Sequence, residues 1–140
     1  LDKIKELVQS GKDEGGIIYQ PDCNLPKNGY FYKPTLISNV SQSHRVVQEE
    51  IFGPVLPIQT FRTIDEVIEK ANNTPYGLSG GVWTDKGAKI FKITQKIRAG
   101  IMWANTFNKF DPASPFGGYK ESGMGREGGL HGLYPYVELV

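Results

Sequence analysis

The sequence predicts an α/β fold in which helices join parallel strands, and three features of residues 55–104 carry that reading. Thr63 and Glu66 form a capping box, and Ile64, Val67, Ile68 and Ala71 follow at i, i+3, i+4 and i+7, so a helix begins here. Apolar runs of strand length, residues 55–61 and 78–83, flank it. A second helix carries Ile90, Ile93 and Ile97 on its apolar side and leads into a strand at residues 101–104. Strand alternating with helix is the sequence form of βαβ crossovers, which build a parallel sheet with helices on its faces.

The remaining elements follow in order. Leu1, Ile4, Leu7 and Val8 share one face of a 3.6-residue period, so the chain opens in an amphipathic helix ending by Gly11. That helix has no cap and no preceding loop. A natural N terminus gives such a pattern, and so does a cut through a larger domain, which is the preferred reading. Residues 16–20 read as a short strand and 21–29 as a loop rich in Pro, Asp and Asn. Residues 30–37 are aromatic and β-branched, but Pro34 has no N–H for a ladder and marks an edge strand or an irregular extended segment; Pro57 raises the same reservation for residues 55–61. Residues 72–77 break the capping-box helix, Asp85 is expected to cap the next one, and Gly100 to stop it. After Asn105 the texture turns to glycine, proline and polar residues. Residues 134–140 then read as an extended segment whose partner is another chain or subunit. The expected division is 1–105, 106–133 and 134–140.

Composition excludes several function classes. Of 140 residues, 39% are hydrophobic and 22% charged, and a net charge of +1 leaves no excess for a polyanionic partner, so neither nucleic acid nor a membrane surface is expected. No apolar run approaches the roughly 18 residues of a membrane span. A single cysteine, Cys23, fits a reducing, cytoplasmic compartment, and His44 and His131 stand too far from other ligand types for a metal site, so none is expected.

Some patterns invite sharper readings than their context allows. Gly123-Met124-Gly125-Arg126-Glu127-Gly128 matches G-x-G-x-x-G letter by letter, yet no strand precedes it and Gly129, Gly132 and Pro135 follow where a helix is needed. Lys86, Lys89, Lys92 and Lys96 recur at helical spacing and read as a solvated face. Cys23 sits in a Pro/Asn-rich loop with no local base and reads as an ordinary thiol.

Glu49-Glu50 alone would read as a solvated acidic surface, but it opens the segment Gln48-Glu49-Glu50-Ile51-Phe52-Gly53-Pro54-Val55. About sixty residues later comes Ser114-Pro115-Phe116-Gly117-Gly118-Tyr119-Lys120-Glu121-Ser122-Gly123-Met124-Gly125-Arg126-Glu127. Together with Gly29-Tyr30-Phe31-Tyr32-Lys33-Pro34-Thr35-Leu36, Ala71-Asn72-Asn73-Thr74-Pro75-Tyr76-Gly77-Leu78 and Gly100-Ile101-Met102-Trp103-Ala104-Asn105, these resemble the C-terminal part of the aldehyde dehydrogenase superfamily along essentially the whole chain. The resemblance implies part of a parallel-sheet catalytic domain plus a C-terminal oligomerisation strand. It implies an oxidoreductase of aldehydes with NAD or NADP as cofactor. Glu50 would accept hydrogen bonds from the hydroxyls of the nicotinamide ribose, a bidentate, charge-assisted contact, and Phe52 would pack near the nicotinamide. By position, Phe110 and Phe116 would line the aldehyde tunnel, where aromatic walls exclude bulk water; simple core packing is the equal alternative for both.

Three parts of such an enzyme have no match in residues 1–140: the segment bearing the catalytic cysteine, the upstream glutamate base and the N-terminal dinucleotide-binding domain. The chemistry the resemblance implies is thiolate attack on the aldehyde, hydride transfer from the thiohemiacetal and hydrolysis of the thioester. No catalytic residue is therefore expected in this segment, which alone should be inactive. In the family the C-terminal tail pairs with a neighbouring subunit's sheet, which implies a homo-oligomer for the parent. Gln20-Pro21 and the ending Gly132-Leu133-Tyr134-Pro135-Tyr136 resemble members with two dehydrogenase copies in one chain, some of which lack the cysteine in one copy. A non-catalytic scaffold or partner-binding module retaining the fold is thus the alternative. A free-standing small binding domain is disfavoured by the apolar faces these residues would expose.

Overall fold

Helix α1 (Asp2–Asp13) is amphipathic and buries Leu7 and Val8. It runs through Gly11 instead of ending there. Gly11 is buried where a Cβ would press to 2.9 Å from Val46 Cγ1, so its role is close packing, which no local signal distinguishes from a stop. The helix ends one turn later in a Schellman arrangement: Gly15, at φ +93°, donates to Lys12 O, and Gly16 donates to Gly11 O.

In the computed structural model residues 1–138 are described, and the chain divides into two compact units, Leu1–Phe61 and Arg62–Val140. In the first, β1 (Ile17–Tyr19) pairs antiparallel with β2 (Thr35–Ser38), which pairs parallel with β3 (Val55–Pro57). β2 begins one residue after Pro34, once every residue can donate, and so occupies the centre of its sheet. Short helix α2 (Arg45–Gln48) follows. Leu7, Val8, Ile37 and Val46 form the core, and Ile4, Ile18, Val47, Ile51 and Val55 pack against it. The fully buried side chains Leu7, Ile37 and Val46 each contribute roughly 1.5–3 kcal/mol. On the other face of the sheet Tyr19, Leu36 and Leu56 stand in register and are exposed.

The second unit opens with α3 (Ile64–Asn72), capped as its sequence requires: Thr63 Oγ1 accepts from Glu66 N at 3.1 Å. The reciprocal bond is displaced by one residue, since Glu66 Oε2 accepts from Arg62 N at 2.8 Å. Strand β4 (Ser79–Val82), helix α4 (Gly87–Lys96) and strand β5 (Ile101–Ala104) make a parallel βαβ crossover, with Gly80 opposite Met102 and Val82 opposite Ala104. The continuous alternation expected from residue 55 is interrupted here, because β3 and β4 belong to different sheets. Asp85 does not cap α4: Lys86 holds the cap position without a side-chain bond, and the helix ends at Lys96, before Gly100.

Residues 106–133 lie within the second unit. Tyr119 N donates to Gly77 O and Glu121 N to Pro75 O, which joins the Gly/Pro-rich run to the loop between α3 and β4. The extended segment expected at 134–140 is replaced at Tyr134–Tyr136 by a 3₁₀ turn, because Pro135 fixes its φ in the helical range near the turn's start. Leu139 and Val140 lie outside the described residues. Among the described residues no helix is long and apolar enough to cross a membrane.

Candidate functional site

Four residues were expected to face cofactor or substrate, and the fold distributes them as two pairs, one in each unit. Glu50 and Phe52 lie on the segment between α2 and β3. Glu49 is extended, with φ −100° and ψ 140°, and the chain turns at Phe52, where Gly53 N donates to Ile51 O at 2.6 Å. Glu49 and Ile51 are half-buried, whereas Glu50 is exposed and Phe52 is 86% exposed, so the second pair shares the open side.

The two adjacent glutamates have opposite environments. Arg45 grips Glu49 through Nε to Oε1 at 2.6 Å and Nη2 to Oε2 at 3.2 Å, and Lys3 Nζ adds a contact at 3.1 Å. Those hydrogen bonds, Arg45 first and Lys3 second, hold the Glu49 carboxyl down at about 2. Among the described residues Glu50 has no hydrogen bond or ion pair. Beyond it, Ile51 packs on the core, Gly53 lies against the Ile4 side chain, and Pro54 O accepts from Thr35 N.

In the second unit Phe110 and Phe116 meet edge to face, centroids 5.2 Å apart. They extend a series of aromatic contacts: Trp103 meets Phe110 at 5.5 Å and Phe107 at 4.8 Å, and Phe107 meets Trp83 at 6.5 Å. Trp103 is buried and donates its indole N–H to Lys109 O at 2.9 Å, which fixes the ring. Trp103, Phe110 and Phe116 line a cleft of about 460 Å³ whose polar rim includes Lys109, Asp111 and Glu127. Phe110 is 59% exposed and Phe116 half-buried, so the pair combines packing with an open aromatic wall. Sequence reasoning missed Trp103 and Phe107, although their spacing with Phe110 keeps three large rings within eight residues.

The glycine-rich run is a frame for this wall. Gly100 N and Tyr119 N both donate to Gly77 O, Gly77 N donates to Ser122 Oγ, and Phe116 and Glu127 exchange two backbone hydrogen bonds of 2.7 Å. Lys120 Nζ donates to the carbonyls of Asn72 and Thr74 at 2.8 and 2.9 Å. The guanidinium groups of Arg98 and Arg126 lie 5.0 and 4.8 Å from the Tyr119 ring centroid. Arg126 Nη1 also donates to Gly118 O and Gly125 O, which ties the side chain to its own loop. The described residues contain no group of three or more metal-ligating side chains, and Cys23 is a free, half-buried thiol.

A parallel βαβ crossover framed by a glycine-rich loop, with an aromatic cleft beside it, defines part of an α/β fold. The profile described as "Aldehyde dehydrogenase family" matches residues 1–140, and the chain belongs to that family. It is 45% identical over 138 residues to aldehyde dehydrogenase 1A1 of Mesocricetus auratus, covering 99% of this chain and 28% of that protein. It is 44% identical over 137 residues to "Aldehyde dehydrogenase, cytosolic 1" of Rattus norvegicus, covering 98% of this chain and 27% of the relative. The structure of the NAD+ complex of aldehyde dehydrogenase from Bacillus cereus superposes with a TM-score of 0.91 at 42% identity, over 98% of this chain and 28% of that one. The chain thus spans little more than a quarter of the length of the relatives it matches.

Proposed function

We propose that these residues form the C-terminal part of an NAD(P)-dependent aldehyde dehydrogenase that oxidises an aldehyde to a carboxylic acid through a cysteine thiohemiacetal. Nucleophile and general base would lie on upstream residues of a longer chain, and the 140-residue segment alone would be inactive. The observation that carries this reading within the family is the contrast at Glu49-Glu50. One carboxylate is consumed by Arg45 and Lys3, and the other is left free beside an exposed ring. A free carboxylate suits the two hydroxyls of a ribose, and a flat apolar ring suits a nicotinamide. Glu50 would hold the ribose and Phe52 would limit where the ring sits. When bound, the nicotinamide supplies a hydride acceptor.

Phe110 and Phe116 would wall the approach of the aldehyde, a role their open, edge-to-face geometry supports. The intact protein would be cytoplasmic, in keeping with a relative named as cytosolic, and a homo-oligomer joined to a neighbouring subunit through residues 134–140.

The test is single-turnover reduction of NAD+ by the intact protein and its Glu50→Gln variant. The variant should slow hydride transfer by about ten- to a hundredfold, the scale of a misplaced reacting group, with the melting temperature unchanged. Unchanged kinetics would remove Glu50 from the cofactor site. Absence of turnover in the wild type, together with an upstream segment lacking a cysteine nucleophile, would mean that the fold is kept as a scaffold.

A further inference from the structure

We infer that Arg45 is a positioning residue for the dinucleotide, acting through Glu49 to set the segment that presents Glu50 and Phe52. The inference rests on the cofactor reading of those two residues. Its basis is a closed ring of four charges. Arg45 contacts Glu49 at 2.6 Å and Glu6 at 3.0 Å, while Lys3 contacts the same two carboxylates at 3.1 and 3.4 Å. Each cation therefore bridges both anions, and the ring ties α1, α2 and the start of the segment that follows α2 together.

The four side chains are 38–58% exposed, and ion pairs in that setting contribute little to stability. Their geometric effect is larger. Glu50 has no partner of its own among the described residues, so its position is inherited from its neighbours in the chain. On one side Ile51 and Gly53 are held by packing against the core and Ile4. On the other side is Glu49, held by a two-pronged guanidinium contact. A planar fork fixes both the position and the plane of a carboxylate, which the point charge of a lysine cannot do. Loss of the fork frees the segment at one end, at the residue that adjoins Glu50.

The experiment is calorimetric binding to the intact protein with two probes: NAD+, which reaches the nicotinamide side, and AMP, which does not. Arg45→Gln should weaken NAD+ binding about fivefold and leave AMP binding unchanged. Glu49→Gln should do the same, and Arg45→Lys should recover part of the loss. Because Arg45 acts through Glu49 on the placement of Glu50, the double variant Arg45→Gln/Glu50→Gln should bind NAD+ no more weakly than Glu50→Gln alone. Equal losses for NAD+ and AMP would indicate general loosening and overturn the inference, as would losses that simply add in the double variant. An unchanged NAD+ affinity in Arg45→Gln, with Glu50→Gln weakened, overturns the inference and leaves the cofactor reading standing. An unchanged affinity in Glu50→Gln removes both. Should Arg45→Gln not fold, Glu49→Gln and Arg45→Lys decide the matter on the same two probes.

Discussion

Gly100 stands directly against the carbonyl of Gly117: a Cβ placed on Gly100 would overlap the Gly117 oxygen and touch the Gly118 backbone. Both partners are main chain, so neither can swing aside as a flexible side chain would. The Gly100 N–H is committed as well, donating to Gly77 O at 3.0 Å. Gly100→Ala should therefore destabilise the protein by about 1–3 kcal/mol, the range of overpacking. Chemical denaturation followed by indole emission checks this, and a loss within a few tenths of a kcal/mol would show that the two loops can part.

The Glu66 carboxylate gives a pH signature. Its hydrogen bond from Lys70, then that from Arg62 N, lowers its pKa from the ordinary 4.5 to about 2. A folded-state value below the unfolded one stabilises above the unfolded pKa, and that stabilisation is lost as pH falls through the folded value. Glu66→Gln should melt lower than wild type at neutral pH, and the gap should close between about pH 4.5 and 2. A gap that stays constant across that window would show that only the shape of the side chain matters at this helix start.

Phe116 separates wall from packing. Phe116→Leu keeps an apolar side chain but removes the edge-to-face contact with Phe110, worth about 0.5–1.5 kcal/mol. In the intact protein KM for apolar aldehydes should rise several-fold while NAD+ affinity is kept. Lower stability with unchanged KM would reduce Phe116 to a core residue.

Local signals read well where one element decides its own structure. The Thr63 cap, the strand at Ile101–Ala104 and the βαβ crossover around α4 all stand in the sequence as periodicity and caps. Gly11 has the sequence form of a helix stop, but its reason for being glycine is Val46, far along the chain. Pro34 marks an edge strand or an irregular segment; residues 31–34 carry no strand, and the central strand starts at Thr35. At the candidate site Glu50 and Phe52 were legible only through family resemblance. The contact of Arg45 with Glu49 had a readable i, i+4 spacing, but the involvement of Lys3 and Glu6 depends on α1 reaching the same place. The glycine-rich run was legible as important and opaque in role, since its hydrogen bonds go to Asn72, Thr74, Pro75 and Gly77 on another loop.

The aromatic series has a spectroscopic consequence. Both tryptophans of these 140 residues, Trp83 and Trp103, belong to it and to the second unit, while the first unit contains tyrosine and phenylalanine but no indole. Within this segment, indole emission is thus a private reporter of residues 62–140, and far-UV circular dichroism averages over both units. Displacement of one denaturation curve from the other would measure directly whether the two units lose their structure in one step or two.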